Sequence, residues 1–300
     1  MAPEETDRIV SAAVLAQLHD FNQIAIDVAP APGTPTAAPI TVVVHAVYFI
    51  NTPSAWAHYA AARRQDYLSQ GVDEFSELVR VLDRRDSVLE PGHEDRRYSA
   101  GLAVQVGKAT PEDVRRFVEE ALERGVIERY ARHQRRLSNA QQLTGLPPAL
   151  LAAVIQDWIA DTGVGVDCSG FVLQAAIRAR DAVRRESGRR GVPAPPEVDH
   201  KERYAVAFCE GPAVRSASEL RPGDAWVLGT EHVRIVSSVL RVGDQLQFSS
   251  AESSGTSTSP TPGLVSRTWL TRDLERLHPI ALAAGPATAA SGGSFHRIPQ

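Results

Sequence analysis

Of all segments in the sequence, residues 165–185 constrain the fold of this chain most strongly. It opens with G-V-D-C-S-G-F-V and continues with apolar residues at helical spacing. Arginines gather at its far end, where cations suit the negative pole of a helix. The pattern therefore predicts a helix with Cys168 at its N-terminus, where the positive pole stabilises a thiolate.

A series of strands is predicted after this helix. Glycine and proline residues separate short runs that are rich in apolar residues, and such runs are typical of strands. The predicted strands are 225–229, 232–241, 245–252 and 294–298. Alternation in the second strand places His232, Arg234 and Val236 on one face. A helix followed by several strands indicates the α+β class.

The pattern of the first 140 residues predicts a separate domain, which is mostly helical and contains at least one strand. The β-branched and aromatic run at 40–50 predicts a buried strand. Thr110 and Asp113 form a capping-box pattern at the start of a helix at 111–124. Further helical patterns cover 6–27, 54–86, 126–138 and 147–161. A change of pattern at 140–145 predicts two domains, 1–140 and 141–300.

Composition argues against several classes of function. The net charge is −4, from 32 basic and 36 acidic residues that are interleaved, so we expect neither nucleic acid nor an anionic membrane as a partner. No apolar run is long enough to cross a bilayer. The two cysteines, Cys168 and Cys209, exclude a disulfide scaffold, and no Cys/His cluster has zinc-ligand spacing. We therefore expect no metal and no other cofactor.

Taken singly, Cys168 and His232 also have plain structural interpretations. A cysteine at the start of an apolar helix can be a core residue, and a histidine that begins a strand can be a polar strand end. Together they are more specific, because a thiol and an imidazole are the parts of a nucleophilic pair. Cys209 lies outside this pattern and is interpreted as a small buried residue.

Four motifs carry a resemblance to a known family. D-C-S-G-F-V (167–172), R-P-G-D-A-W (221–226), H-V-R-I-V (232–236) and S-F-H-R-I (294–298) occur in this order. They resemble motifs of the NlpC family of papain-like cysteine peptidases, which cut the peptide stems of bacterial cell walls. The resemblance covers about 140–300.

The resemblance implies a fold and a set of roles. The fold is papain-like, with the helix that bears the nucleophile packed on an antiparallel sheet. Cys168 is then the nucleophile and His232 the general base. Asp167 and Ser169 flank the nucleophile and are implied to hold the free amine of the substrate. The main-chain N–H of Cys168 is a natural oxyanion donor.

One departure from the family lies before the nucleophile. The family usually has a Tyr-x-Trp-Gly-Gly-like stretch there, whose ring shapes the site. This chain has V-I-Q-D-W-I-A-D-T-G (154–163), which is typical of a helix end. Trp158 is a candidate substitute for the aromatic ring, and the family's substrate preference does not carry over.

The second departure concerns the third polar residue, which is not the family's usual histidine. Ser250 and Glu252 share a face, and either can orient His232. If Gly243 and Asp244 form a hairpin turn, Glu252 is three residues out of register with His232 and Ser250 five, at about 3.3 Å each. A β-bulge would close the smaller gap, and a carboxylate stabilises an imidazolium better than a hydroxyl does. Glu252 is therefore preferred.

These features predict a thiol-dependent hydrolase of peptide or amide bonds, with peptidoglycan stem peptides or another peptide as substrate. Two alternatives stay open. The same site could serve an acyl or amide transferase, or the fold could be kept by an inactive binding or cargo protein.

The first twenty residues have neither the basic region nor the uninterrupted apolar core of a secretory signal. We therefore expect a protein made in the cytoplasm, with any export by a non-Sec route. The first domain is a candidate contact for such an export apparatus.

Overall fold

A computed structural model describes most of the chain. The described residues are 1–29, 39–48, 74–86, 99–105, 107–139, 141–189, 205–229, 232–243, 245–254, 263–271, 280–281 and 293–298. The contacts between residues divide the chain into two compact units. The sheet unit comprises Met1–His19, Cys168–Ser254 and Leu264–Gln300, and the helical unit comprises Asp20–Asp167 and Gly255–Gly263.

Seven α-helices lie within the described residues. They are α1 (Pro3–Asn22), α2 (74–86), α3 (Ala100–Gln105), α4 (Pro111–Glu123), α5 (Val126–His133), α6 (Pro148–Thr162) and α7 (Cys168–Arg189). The strands are β1 (Ile24–Val28), β2 (Ile40–Val44), β3 (Val47–Tyr48), β4 (Gly165–Val166), β5 (Ala213–Val214), β6 (Ala225–Leu228), β7 (His232–Val242), β8 (Gln245–Ser254), β9 (Gly263–Thr271), β10 (Ile280–Ala281) and β11 (Ser294–His296). The predicted α+β class is confirmed.

The sheet unit is built on a seven-stranded sheet. The strand order is β10-β9-β8-β7-β6-β11-β5. Antiparallel pairing joins β5 to β11, β11 to β6, β6 to β7, β7 to β8 and β9 to β10. Helix α7 contacts β7 and β8 in the middle of this sheet. The start of α7 and the start of β7 therefore belong to neighbouring elements.

Aromatic rings fill one face of the sheet. The Trp226 ring stacks on Phe295 with centroids 5.0 Å apart and meets the edge of Trp269 at 4.7 Å. Phe248 packs against the same Trp226 ring, and all four side chains are buried. Trp226 pairs with Arg234 across the strands, so Arg234 lies on the face that carries these rings. Losing one such ring typically costs about 3–5 kcal/mol.

The apolar stripe predicted for the Cys168 helix is buried along α7. Its members are Phe171, Val172, Ala175, Ala176, Ala179 and Val183. This burial fixes the helix within the core of the sheet unit, and it thereby fixes the position of the helix N-terminus.

The helical unit contains the most clearly predicted helix of the first half. Thr110 accepts a hydrogen bond from the Asp113 amide, and the Asp113 carboxylate accepts one from the Thr110 amide, which completes the capping box of α4. From α4, Phe117 stacks on Trp158 of α6 with centroids 6.3 Å apart. Trp158 is 1% exposed and belongs to this core.

Several sequence predictions in the first half were wrong in their limits, and the helix predicted at 126–138, for example, ends at His133. The helix predicted at 6–27 ends at Asn22, and the following residues form β1, in which buried and exposed side chains alternate. That two-residue period is the mark of a strand. The strand predicted at 40–50 divides into β2 and β3. Of the helix predicted at 54–86, the part 54–73 lies outside the described residues.

The division into units differs from the domains predicted at 1–140 and 141–300. Residues 141–167 cluster with the helical unit, because α6 packs against β2 and against Phe117 of α4. The first nineteen residues cluster instead with the sheet unit. The sheet unit is therefore assembled from separated parts of the chain.

Candidate active site

Cys168 is the first residue of α7. Its side chain is almost fully buried, with 6% of its surface exposed, and it is not in a disulfide. The side chain hydrogen bonds to His232. The first turn of a helix has amide groups that are not used within the helix, and their positive pole stabilises an anion. The position therefore suits a thiolate.

His232 is the first residue of β7 and connects Cys168 to Glu252. Its Nε2 is hydrogen bonded to Oε2 of Glu252. The same imidazole also hydrogen bonds to the Cys168 side chain. One ring thus contacts a thiol and a carboxylate, an arrangement that fits a base held by an orienting group.

Glu252 is completely buried on β8 and is surrounded by cations. Besides His232, Arg234 donates from Nε to Oε2 at 2.8 Å, and Arg267 donates from Nε to Oε1 at 2.7 Å. A buried ionised carboxylate is costly unless it is paired and hydrogen bonded. Here both carboxylate oxygens have charged donors, so the side chain can remain an anion.

A β-bulge explains how Glu252 reaches His232. The β7–β8 hairpin begins with Val242 opposite Gln245, which is the register predicted from a turn at 243–244. The register then shifts between Val236 and Ser238. Extending the shifted register puts Glu252 opposite Arg234 and makes it the diagonal neighbour of His232. Diagonal neighbours are about 7–8 Å apart, which long side chains can bridge.

Ser250, the alternative to Glu252, has another partner. It is fully buried, pairs with Val236 across the strands, and accepts a hydrogen bond from Nε1 of Trp269 at 2.9 Å. Its hydroxyl is therefore part of the aromatic core. Of the two candidates, Glu252 is the one that contacts the imidazole.

The pKa values of the histidine and the glutamate are displaced in opposite directions. Burial lowers the pKa of His232, but hydrogen bonds to Cys168 and Glu252 and their negative charges outweigh burial and raise the pKa to about 9. Burial raises the pKa of Glu252, but the His232 hydrogen bond and the charges of Arg234, His232 and Arg267 lower it to about 2. At neutral pH the site therefore favours a protonated His232 ring beside an ionised Glu252.

Asp167 and Ser169 flank Cys168 in different settings. Both carboxylate oxygens of Asp167 accept hydrogen bonds from Nζ of Lys108, at 2.8 and 2.7 Å, and both residues belong to the helical unit. Ser169 is the second residue of α7 and is 3% exposed. Their role in holding a substrate amine stays a prediction, and an internal ammonium already occupies Asp167.

Sequence reasoning missed three charged residues of these clusters. Arg234 was placed on the His232 face, but its contact with Glu252 depends on the bulged register. Arg267 lies on another strand, beyond residues 255–262, so no local pattern connects it to Glu252. Lys108 is 59 residues from Asp167. Trp158, proposed as a substitute ring, lies in the helical unit's core.

Comparison with protein-family models, curated proteins and solved structures finds no match to this chain. Within the described residues, no helix is long and apolar enough to cross a membrane. In the same part of the chain, no group of three or more His, Cys, Asp or Glu side chains is arranged to hold a metal ion.

Proposed function

We propose that this protein is a papain-like cysteine hydrolase that cleaves peptide or amide bonds. The observation that carries the proposal is the chain of contacts from Cys168 through His232 to a fully buried, ionised Glu252. A cysteine that only fills the core does not require contact with a histidine. A histidine that only ends a strand does not require a buried carboxylate as its partner. A fully buried carboxylate that contacts a half-buried histidine, which in turn contacts a buried cysteine, is costly to the fold, and such groups cluster at functional sites.

Each group has a step in the proposed reaction. In the reactive form the proton of the Cys168 thiol already lies on His232, and the thiolate attacks the carbonyl carbon of the scissile bond. The main-chain N–H of Cys168 donates to the developing oxyanion. The C–N bond breaks as His232 returns the proton to the leaving amine, which leaves a thioester. His232 then deprotonates water, which attacks the thioester and releases the acid and the thiol.

Peptidoglycan stem peptides are the proposed substrate. The support is the order of the motifs around Cys168 and His232, which resembles that of the NlpC family. The departure at 154–163 bears on which bond is cut, because the ring that shapes the family's site has no counterpart at that position of the motif.

Mass spectrometry of purified wall peptides tests this proposal. Wild-type protein is expected to produce fragments that have gained one water at a peptide or amide bond, whereas Cys168→Ala produces none. Added amines in the same reaction distinguish a transferase, because the product then carries the amine in place of water. If the wall peptides stay unchanged although the wild-type protein and Cys168→Ala are both folded, wall peptides are not the substrate.

A further inference from the structure

Arg234 is a buried cation in an unusual setting. Its guanidinium carbon lies 4.9 Å from the centre of the Trp226 ring and 4.8 Å from that of Trp269. These two rings meet at 83°, so the guanidinium is held against both of them. Such a position leaves the cation little freedom, because both rings belong to the aromatic core.

The hydrogen bonds of Arg234 do not explain why a cation is buried there. Nη1 is buried and has no hydrogen-bond partner among the described residues, while Nε donates to Glu252 at 2.8 Å. A buried donor without a partner is costly. An apolar side chain of similar volume would fill the space between the rings without that cost. What Arg234 supplies and an apolar residue cannot is a positive charge beside Glu252.

The surroundings of Glu252 are charged on both sides. His232 and Arg234 approach it from β7, Arg267 approaches it from β9, and Cys168 joins through His232. Oε2 accepts from both Arg234 and His232, whereas Oε1 accepts from Arg267. Arg234 and His232 therefore share one oxygen, and the charge of Arg234 acts directly on the atom that orients the imidazole.

We propose that Arg234 is a positioning residue, which keeps Glu252 in its anionic form and fixed in place so that Glu252 can hold His232 as the partner of the Cys168 thiolate. Arg267 holds the other oxygen of the same carboxylate. The charge of Arg234 acts on Cys168 through two intermediates, Glu252 and His232. This inference rests on the proposed function, since it concerns the same Cys168–His232 pair.

The rate at which iodoacetamide alkylates Cys168 provides a test that needs no substrate. The rate is measured by mass spectrometry of the Cys168 peptide from about pH 3 to about pH 9, and Cys209 serves as an internal reference. Without Arg234, Glu252 should bind a proton at higher pH, and a neutral Glu252 no longer supports the imidazolium. The acid limb of the alkylation profile should then move to higher pH.

For Arg234→Met we expect an upward shift of the acid limb by about one pH unit, which is a tenfold slower reaction on that limb. Arg234→Lys keeps the charge, so the acid limb of its profile should lie close to that of the wild type. In Glu252→Gln, adding Arg234→Met should change the profile no further. Arg241→Met, on the exposed end of the same strand, is the matched control and should follow the wild type.

The outcomes distinguish the positioning role of Arg234 from the proposed Cys168–His232 pair itself. A folded Arg234→Met variant whose profile superimposes on that of the wild type would overturn the positioning role. So would a uniform loss of rate at every pH, because that is the mark of a merely structural residue. If wild-type Cys168 reacts no faster than Cys209, the proposed thiolate pair itself is wrong, whatever the variants do. Near-ultraviolet circular dichroism of each variant establishes that it is folded.

Discussion

At the scale of single residues, the candidate site depends on Glu252, whose side chain is completely buried. A carboxylate in this position cannot be solvated by water, so its charge depends on His232, Arg234 and Arg267. Ser250, two residues away on the same face, is instead part of the aromatic core through Trp269. The two side chains therefore differ in role although they share a strand.

Substitution of these two residues separates their roles. Glu252→Gln keeps the shape but removes the charge that stabilises the His232 imidazolium, so turnover should fall by about tenfold or more. Ser250→Ala should keep turnover close to that of the wild type. Steady-state kinetics on a cleaved peptide measures both, and the reverse ranking would give the orienting role to Ser250.

The pH dependence of His232 follows from its raised pKa of about 9. Because this value is above the value in an unfolded chain, about 6.5, the charged ring stabilises the fold fully below pH 6.5 and loses this effect as pH rises through 9. Unfolding in urea should therefore show wild type more stable than His232→Gln at pH 6, with the difference shrinking towards pH 9.5. A difference that grows with pH would contradict the raised pKa.

At the scale of elements, local patterns were sufficient for the helices and strands that carry Cys168 and His232. The apolar stripe after Cys168 and the alternation after His232 each lie within one element. The third partner depended on more than local pattern, because its register includes a bulge between Val236 and Ser238. Arg267 lies on β9, which was not among the predicted strands, so it could not be connected to Glu252 from sequence.

The capping box of α4 offers an element-scale prediction in the helical unit. Thr110→Ala removes the side-chain acceptor for the Asp113 amide and should cost about 1 kcal/mol of stability. Urea unfolding followed by circular dichroism measures this loss. Because Thr110 belongs to the helical unit and Cys168 to the sheet unit, the alkylation rate of Cys168 should not change. A large fall in that rate would mean that the two units are not independent.

At the scale of the whole molecule, the sheet unit includes residues from the start of the chain. In α1, Val10 and Val14 are at most 1% exposed, and Gln17 accepts a hydrogen bond from Arg178 of α7 at 3.2 Å. No sequence pattern connects 1–19 to the region after Cys168. A division at residue 140 was therefore the natural prediction, although it separates α1 from the elements it packs against.

Deletion of residues 1–19 tests this assembly. The truncated protein should lose cooperative unfolding of the sheet unit, because the loss of buried Val10 and Val14 uncovers apolar surface in that unit. Near-ultraviolet circular dichroism and urea unfolding measure the effect. A truncated protein with wild-type stability would show that the sheet unit folds without α1.

The central claim is that Cys168 is a nucleophile activated by His232. The measurement that tests it most directly is the ratio of the iodoacetamide alkylation rates of Cys168 and Cys209 at about pH 6, where an ordinary thiol of pKa about 8.5 is almost entirely protonated. Cys168 should react at least about tenfold faster than Cys209, and His232→Ala should remove this advantage. Equal rates in the wild type, or an advantage that survives His232→Ala, would contradict the claim.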